Sequence, residues 1–332
     1  MLNYHQMTDI KVKKVFDSYE EELALVEESL RGLFKSKVFL VPLIGRYLIE
    51  GGGKRIRPLF LLLSSRLAGY KGNAHIELAG IIESIHTASL LHDDVIDGAD
   101  IRRGRETAHS IWGNQVVILV GDFLYSNALR MAVSYKSQSI MDALSEATTR
   151  MTEGELFQLE KAGDISITEE EYMGIISSKT GILLSAACKI GGILGGLSQT
   201  HTEALASFGL KAGIAFQMAD DILDYMAGQE GLGKKLGKDL DEGKITLPLI
   251  VLLAEADKEE RLRIKAIVEG DVIDRGLDRI LELFEKYDIL KESLKKARAL
   301  IDEAKAELSI FADSKERDEL FALADYALER DR

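Results

Sequence analysis

Between residues 16 and 34, Leu23, Val26, Leu30 and Leu33 recur at three- and four-residue spacing, the period of a helix buried along one face. Residues 38–49 form a second apolar segment, in which Pro42 fits the first turn of a helix. The apolar run 59–63 follows Pro58, which again suits a first helical turn. Residues 77–97 read as one long helix. Residues 111–133 are apolar, and 116–120 alone resemble a buried strand. Helical spacing continues on both sides and nothing else offers a sheet partner, so a helix is predicted there. Residues 185–196 are small and glycine-containing, suited to close helix packing or a break. From residue 257 the chain is charged, with apolar stripes at Ile280, Leu283 and Phe284 and at Leu300, Ala304 and Leu308. These patterns predict an all-α fold, a single large helical bundle over residues 1–332. An N-terminal helix is expected within 1–37 and outer helices over 257–332. Only three prolines occur and no Ser/Pro/Gly-rich linker interrupts the pattern, so no domain boundary is expected.

Polar residues break the apolar helices in two places with the same signature. Asp93-Asp94-Val95-Ile96-Asp97 and Asp220-Asp221-Ile222-Leu223-Asp224 are both Asp-Asp-x-x-Asp. Residues four apart share a helix face, so Asp93 stacks on Asp97 and Asp220 on Asp224, with Asp94 and Asp221 beside them. A lone acidic face is usually solvated. These two follow apolar stretches, Ile81 to Leu91 and Gly213 to Ala219, where like charges are costly unless something neutralises them. Hard divalent cations suit carboxylate oxygens, and Mg²⁺ completes its shell with water and a substrate phosphate. Two such faces opposed across a central cavity would be a socket for a metal-bound diphosphate.

Basic residues gather near the acids. Gly51-Gly52-Gly53-Lys54-Arg55-Ile56-Arg57-Pro58 joins glycines to cations before a helix start, where Lys54 and Arg57 suit a phosphate. Arg102, Arg103 and Arg105 flank Gly104 just after the first acidic motif. Residues 231–243 carry Lys234, Lys235 and Lys238 among glycines and acids, with Lys244 just beyond. Loops of this kind close over phosphate or simply lie at the surface. His86 lies seven residues before Asp93 on nearly the same face. A lone helical histidine is more often structural than functional. A net charge of −13 argues against a nucleic-acid partner. Cys188, the one cysteine, allows no intramolecular disulfide and reads as a buried, inert thiol. Neither a signal-peptide core nor an apolar run of spanning length is evident, so a cytoplasmic protein with no membrane span is expected.

Taken together, Gly52 to Pro58, Leu91 to Asp97 with Arg102 and Arg103, Lys179-Thr180, and Gln217 with Asp220 to Asp224 resemble the trans-prenyl diphosphate synthases. The match runs in order from about Leu40 to Leu252. The resemblance implies an all-α isoprenoid-synthase-like homodimer that elongates an allylic diphosphate with isopentenyl diphosphate. It implies that Asp93, Asp97, Asp220 and Asp224 ligate Mg²⁺, with Asp94, Asp221 and Lys179 also catalytic. Lys54, Arg57, His86 and Arg103 would hold isopentenyl diphosphate. Arg102, Lys179, Thr180, Gln217 and Lys234 would contact the allylic diphosphate, and Lys244 would join the substrate-binding set.

The growing chain is expected to descend from Asp93 into the bundle. Ser89 lies one turn below and Ala88 flanks it, and a turn rises roughly 5.4 Å, comparable with one isoprene unit. Short-chain members of the family carry aromatics at that level. Small residues here imply a long product of octaprenyl type, suited to a quinone side chain, and Phe157 is a candidate deeper floor. Two rival readings are a non-catalytic subunit of a heteromeric synthase, expected to lack one acidic motif, and an enzyme that cyclises or hydrolyses a prenyl diphosphate, which has no use for a second diphosphate site.

Overall fold

The computed structural model describes residues 4–102, 104–226, 237–270 and 276–329. The helices run α1 (Tyr4–Ser18), α2 (Glu20–Leu33), α3 (Leu40–Glu50), α4 (Ile56–Leu67) and α5 (Ala74–Ile96). A two-stranded hairpin, β1 (Ile101–Arg102) and β2 (Arg105–Glu106), separates α5 from α6 (Ala108–Trp112) and α7 (Asn114–Val133). Then come α8 (Gln138–Glu160), α9 (Glu169–Ile176), a π-turn (Ser177–Gly181), α10 (Ile182–Leu194) and α11 (Gln199–Met226). The chain ends with α12 (Lys238–Asp241), α13 (Leu247–Glu255), α14 (Lys258–Val268), α15 (Gly276–Lys286), α16 (Ile289–Glu307) and α17 (Lys315–Glu329).

The fold is all-α, as the periodicity predicts. Residues 116–120 are helical and wholly inside α7. The largest apolar core joins α4, α5, α10 and α11, with Phe60 against Phe208 and Phe216 at ring-centroid distances of 5.9 and 6.4 Å. A second core lies under α9, α11, α13 and α15, and a third joins α2, α3, α5 and α7. Helix starts follow capping rules where loops are polar. Thr168 and Glu171 form a capping box for α9, and Asp257 and Glu260 form one for α14.

Three expectations need correction. The N-terminal segment is two helices, broken where Tyr19 leaves helical geometry and buries its ring. The C-terminal segment is not only an outer layer. Ile301, Ala304 and Leu308 of the α16 region and Leu320, Leu323 and Ala327 of α17 lie fully buried in the main core, because their three- and four-residue spacing puts them on one face. Finally, Asn114–Val133 and Glu169–Leu194 do reach the length and apolarity of a membrane span. Within those windows 61% of the second stretch is buried in the protein but only 33% of the first. The bundle accounts for the second; the first retains an exposed apolar face.

Candidate active site

The acidic motifs sit where helix electrostatics disfavours them. Asp93 to Asp97 form the last turn of α5, and Asp220 to Asp224 lie in the last two turns of α11. Helix C-termini carry partial negative charge, so carboxylates there raise local repulsion. Asp93, Asp97, Asp220 and Asp221 nevertheless line one cavity of about 730 Å³, shared with Lys54, Arg57, His86, Arg102, Lys179, Thr180, Gln217 and Lys244. Four of the sequence-predicted acids and most of the predicted cations thus converge, whereas Asp94 and Asp224, the latter expected as a metal ligand, are not among the residues that line the cavity.

Charge strain in the cavity is large. Burial and the neighbouring Glu155 and Asp97 push the Asp93 carboxyl up to about 6. Burial and the Asp239 carboxylate push Asp221 well above the usual range. Asp239 itself rises to about 6, through burial and the charge of Asp224. Internal cations answer part of this. Lys244 Nζ lies 3.3 Å from Asp97 and 2.7 Å from Glu242, and these partners outweigh its burial and raise its pKa. Lys179 Nζ lies 2.5 Å from Glu155 and donates to Gln158 at 2.5 Å.

The two halves of each motif have different jobs. Asp94 is buried and lies 2.6 Å from the Arg102 Nε, outside the cavity that Asp93 faces. The hairpin makes that contact possible, since Gly104 turns the strands at φ +74, a region costly for other residues. Asp224 accepts the Asp239 backbone N–H at 3.1 Å and is also buried. Asp221 accepts from Tyr172 Oη at 2.7 Å and from Gln217 Nε2 at 2.8 Å, while Gln217 in turn accepts from Thr180 at 2.8 Å. Lys179 and Thr180 both reach the cavity because they occupy the π-turn, whose wider geometry rotates successive side chains to one side. Gly154 of α8 crosses that turn closely; a Cβ there would meet Ser178 Cβ at 2.7 Å and the Lys179 nitrogen at 3.0 Å.

The basic loop is held against α5 by two rungs. Arg55 adopts a left-handed backbone (φ 50) and places its guanidinium 2.7 Å from Glu27 and 2.9 Å from Glu83. One turn along α5, His86 Nε2 accepts from Arg57 at 2.9 Å. His86 is therefore bound into the cluster of cations. Lys54 Nζ donates to Tyr326 Oη of α17 at 2.6 Å.

Ser89 lines the cavity one turn below Asp93, while fully buried Ala88 turns toward α7 in the third core. Phe157 does not lie beneath them. It packs against the second core with Lys161 over its ring, near the C-terminal end of α8, and is not among the residues that line the cavity, although its neighbours Gln158 and Lys161 are. Arg103 and Lys234 lie outside the described residues. Sequence reading assigned no role to Glu155, Gln158, Tyr172, Asp239 or Tyr326. Only Glu155 and Gln158, on a polar face of an otherwise apolar helix, offered a local signal.

Oxygen-only carboxylate donors suit Mg²⁺ chemically. Among the described residues no group of three His, Cys, Asp or Glu side chains closes on a single point.

The chain matches the Polyprenyl synthetase family model over residues 40–283. It is 40% identical over 323 residues to octaprenyl diphosphate synthase of Escherichia coli K12, covering 97% of this chain and 100% of that protein. It superposes on a decaprenyl diphosphate synthase from Rhodobacter capsulatus with a TM-score of 0.92 and 38% identity, covering 97% and 99% of the two chains. A polyprenyl synthase from Caulobacter crescentus, crystallised with calcium and isoprenyl diphosphate, matches with a TM-score of 0.90 and 38% identity over 96% and 98%.

Proposed function

The chain belongs to the polyprenyl synthetase family and is a long-chain trans-prenyltransferase condensing isopentenyl diphosphate onto allylic diphosphates; from that premise we propose that Mg²⁺, held by Asp93 and Asp97 on one side and Asp220 and Asp224 on the other, binds the allylic diphosphate in the 730 Å³ cavity. The observation that carries this is the convergence of both acidic motifs on one cavity, at helix ends that otherwise repel anions. The Caulobacter relative's complex with calcium and isoprenyl diphosphate supports the same pairing of cation and prenyl diphosphate. When bound, Mg²⁺ would neutralise the diphosphate and stabilise the negative charge it gains on leaving.

The protein's own groups do the rest. Lys179, Thr180, Gln217 and Arg102 orient the allylic diphosphate, and Lys244 adds positive charge from the opposite wall. Tyr172 and Gln217 hold the Asp221 carboxylate still. Lys54, Arg57 and His86 bind the second diphosphate, that of isopentenyl diphosphate, so its double bond faces the allylic carbon. Ionisation leaves an allylic cation that survives only if water is excluded, and Leu90, Ile175 and Ile176 line that part of the cavity. Attack by the isopentenyl double bond forms the new C–C bond. The proton lost next goes to the departed diphosphate, so no protein general base is required.

The exposed face of α7 is assigned to a homodimer. Leu119 is 66% exposed and Val133 57%, with Ile118 on the same side. Burying that stripe against a second copy would remove the apolar surface that the bundle leaves in water. Small residues at 88 and 89 favour a long product, suited to a quinone side chain.

Purified chain, Mg²⁺, farnesyl diphosphate and labelled isopentenyl diphosphate should yield long polyprenyl diphosphates on reversed-phase separation, with chelator abolishing turnover. A chain inactive alone would instead be a partner subunit of a heteromeric synthase. Ionisation of the primer without consumption of isopentenyl diphosphate would mark a cyclase or hydrolase.

A further inference from the structure

Lys54 stands on the exposed part of the glycine-rich loop, at a rim shared by the main cavity and a neighbouring cleft lined by Phe16, Leu23 and Tyr326. A lysine in such a place has a long, flexible stem, and ordering it costs rotamer entropy. The half-buried Tyr326 of α17 meets it in two ways. The ammonium donates to the phenol oxygen at 2.6 Å and lies 5.1 Å from the ring centroid, within cation–π range. Tyr326 is itself well anchored, because Leu323 and Ala327, on either side along α17, are fully buried. Donating one hydrogen bond to Tyr326 leaves the ammonium two further N–H donors for a ligand.

We infer that Tyr326 is a positioning residue for isopentenyl diphosphate, holding Lys54 at the cavity rim so that the C-terminal helix completes that substrate's site. The inference rests on the reading of Lys54 as a ligand of isopentenyl diphosphate. It carries the C-terminal helix from scaffold to a part in substrate affinity. Because the contact is to Lys54 and not to the acidic motifs, its effect should be confined to one of the two substrates.

Steady-state kinetics of the full chain with both substrates varied separates the possibilities. Tyr326→Phe keeps the ring and removes the acceptor; KM for isopentenyl diphosphate should rise about 3–10-fold. Saturated kcat, KM for the allylic primer and Tm should stay near wild type. Tyr326→Leu, which also removes the ring, should raise the same KM further. On a Lys54→Gln background, Tyr326→Phe should add nothing, since the contact it removes is already gone. An unchanged or lowered isopentenyl KM in Tyr326→Phe, or equal rises in both KM values with a fall in Tm, would overturn the inference. If Lys54→Gln itself leaves the isopentenyl KM unchanged, the assignment of Lys54 fails. If Lys54→Gln raises it and Tyr326→Phe does not, only the role of Tyr326 fails.

Discussion

Asp93 concentrates the conflict that the active site exists to resolve. Its carboxyl is raised from the ordinary 3.8 to about 6 by burial and by the charges of Glu155 and Asp97. A raised carboxyl contributes stability while protonated; that contribution is complete below the ordinary pKa and is lost as pH rises through about 6. Without metal, Asp93→Asn should therefore match wild type in Tm near pH 4 and exceed it at pH 7, and added Mg²⁺ should narrow the gap by favouring the charged wild-type site. Equal melting temperatures at both pH values would refute the charge argument. Ser89 makes the other residue-scale prediction. Ser89→Phe puts a ring into the cavity one turn below Asp93 and should shorten the product sharply on reversed-phase analysis. Ala88→Phe should shorten it too, with a stability loss of about 1–3 kcal/mol, because Ala88 is fully buried against α7. Unchanged product lengths in both variants would end the idea of a descending tunnel.

Elements aim these residues. The π-turn Ser177–Gly181 points Lys179 and Thr180 into one cavity, and Gly154 lets α8 approach that turn. In Gly154→Ala the new methyl meets Ser178 Cβ at 2.7 Å and the Lys179 backbone at 3.0 Å, so the turn must shift. The better helix propensity of Ala, worth up to about 1 kcal/mol, offsets part of an overpacking cost of about 1–3 kcal/mol. Stability should fall by up to about 2 kcal/mol. Activity should fall about 10- to 100-fold, since displacement of a substrate-orienting group by about 1 Å is enough for that. Near-normal turnover would show that α8 has room to move without disturbing Lys179. The π-turn was not legible beforehand, because Ser-Ser-Lys-Thr-Gly carries no signal for an extra residue per turn; the packing of α8 and α11 on either side imposes it.

At the scale of the molecule, the cavity opens where the C-terminal ends of α5, α8 and α11 meet, and the chain's flanks hold it there. The charged character of residues 257–332 predicts an outer layer, yet α16 and α17 bury apolar faces in the main core and bring Tyr326 to Lys54. The exposed stripe of α7 predicts self-association. Leu119→Glu should leave folded helix content intact and convert a dimer to monomer in sedimentation velocity. A wild-type chain already monomeric at micromolar concentration would remove that surface from the account.

The order of residues along the chain was enough for much of this. Helical periodicity identifies the fold class, and repeated Asp-Asp-x-x-Asp within apolar helices marks the candidate site, because both depend on neighbours three and four positions apart on the same helix. What lies farther away was decided only by tertiary structure. Asp94 of α5 pairs with Arg102 of the hairpin, Tyr172 steadies Asp221 from another helix, and Phe157 packs against the second core instead of lining the cavity. Those outcomes depend on which helix faces which and at what depth. Side-chain direction around one helix follows from its own period, whereas the partner across a gap is set by the packing of every other helix at once.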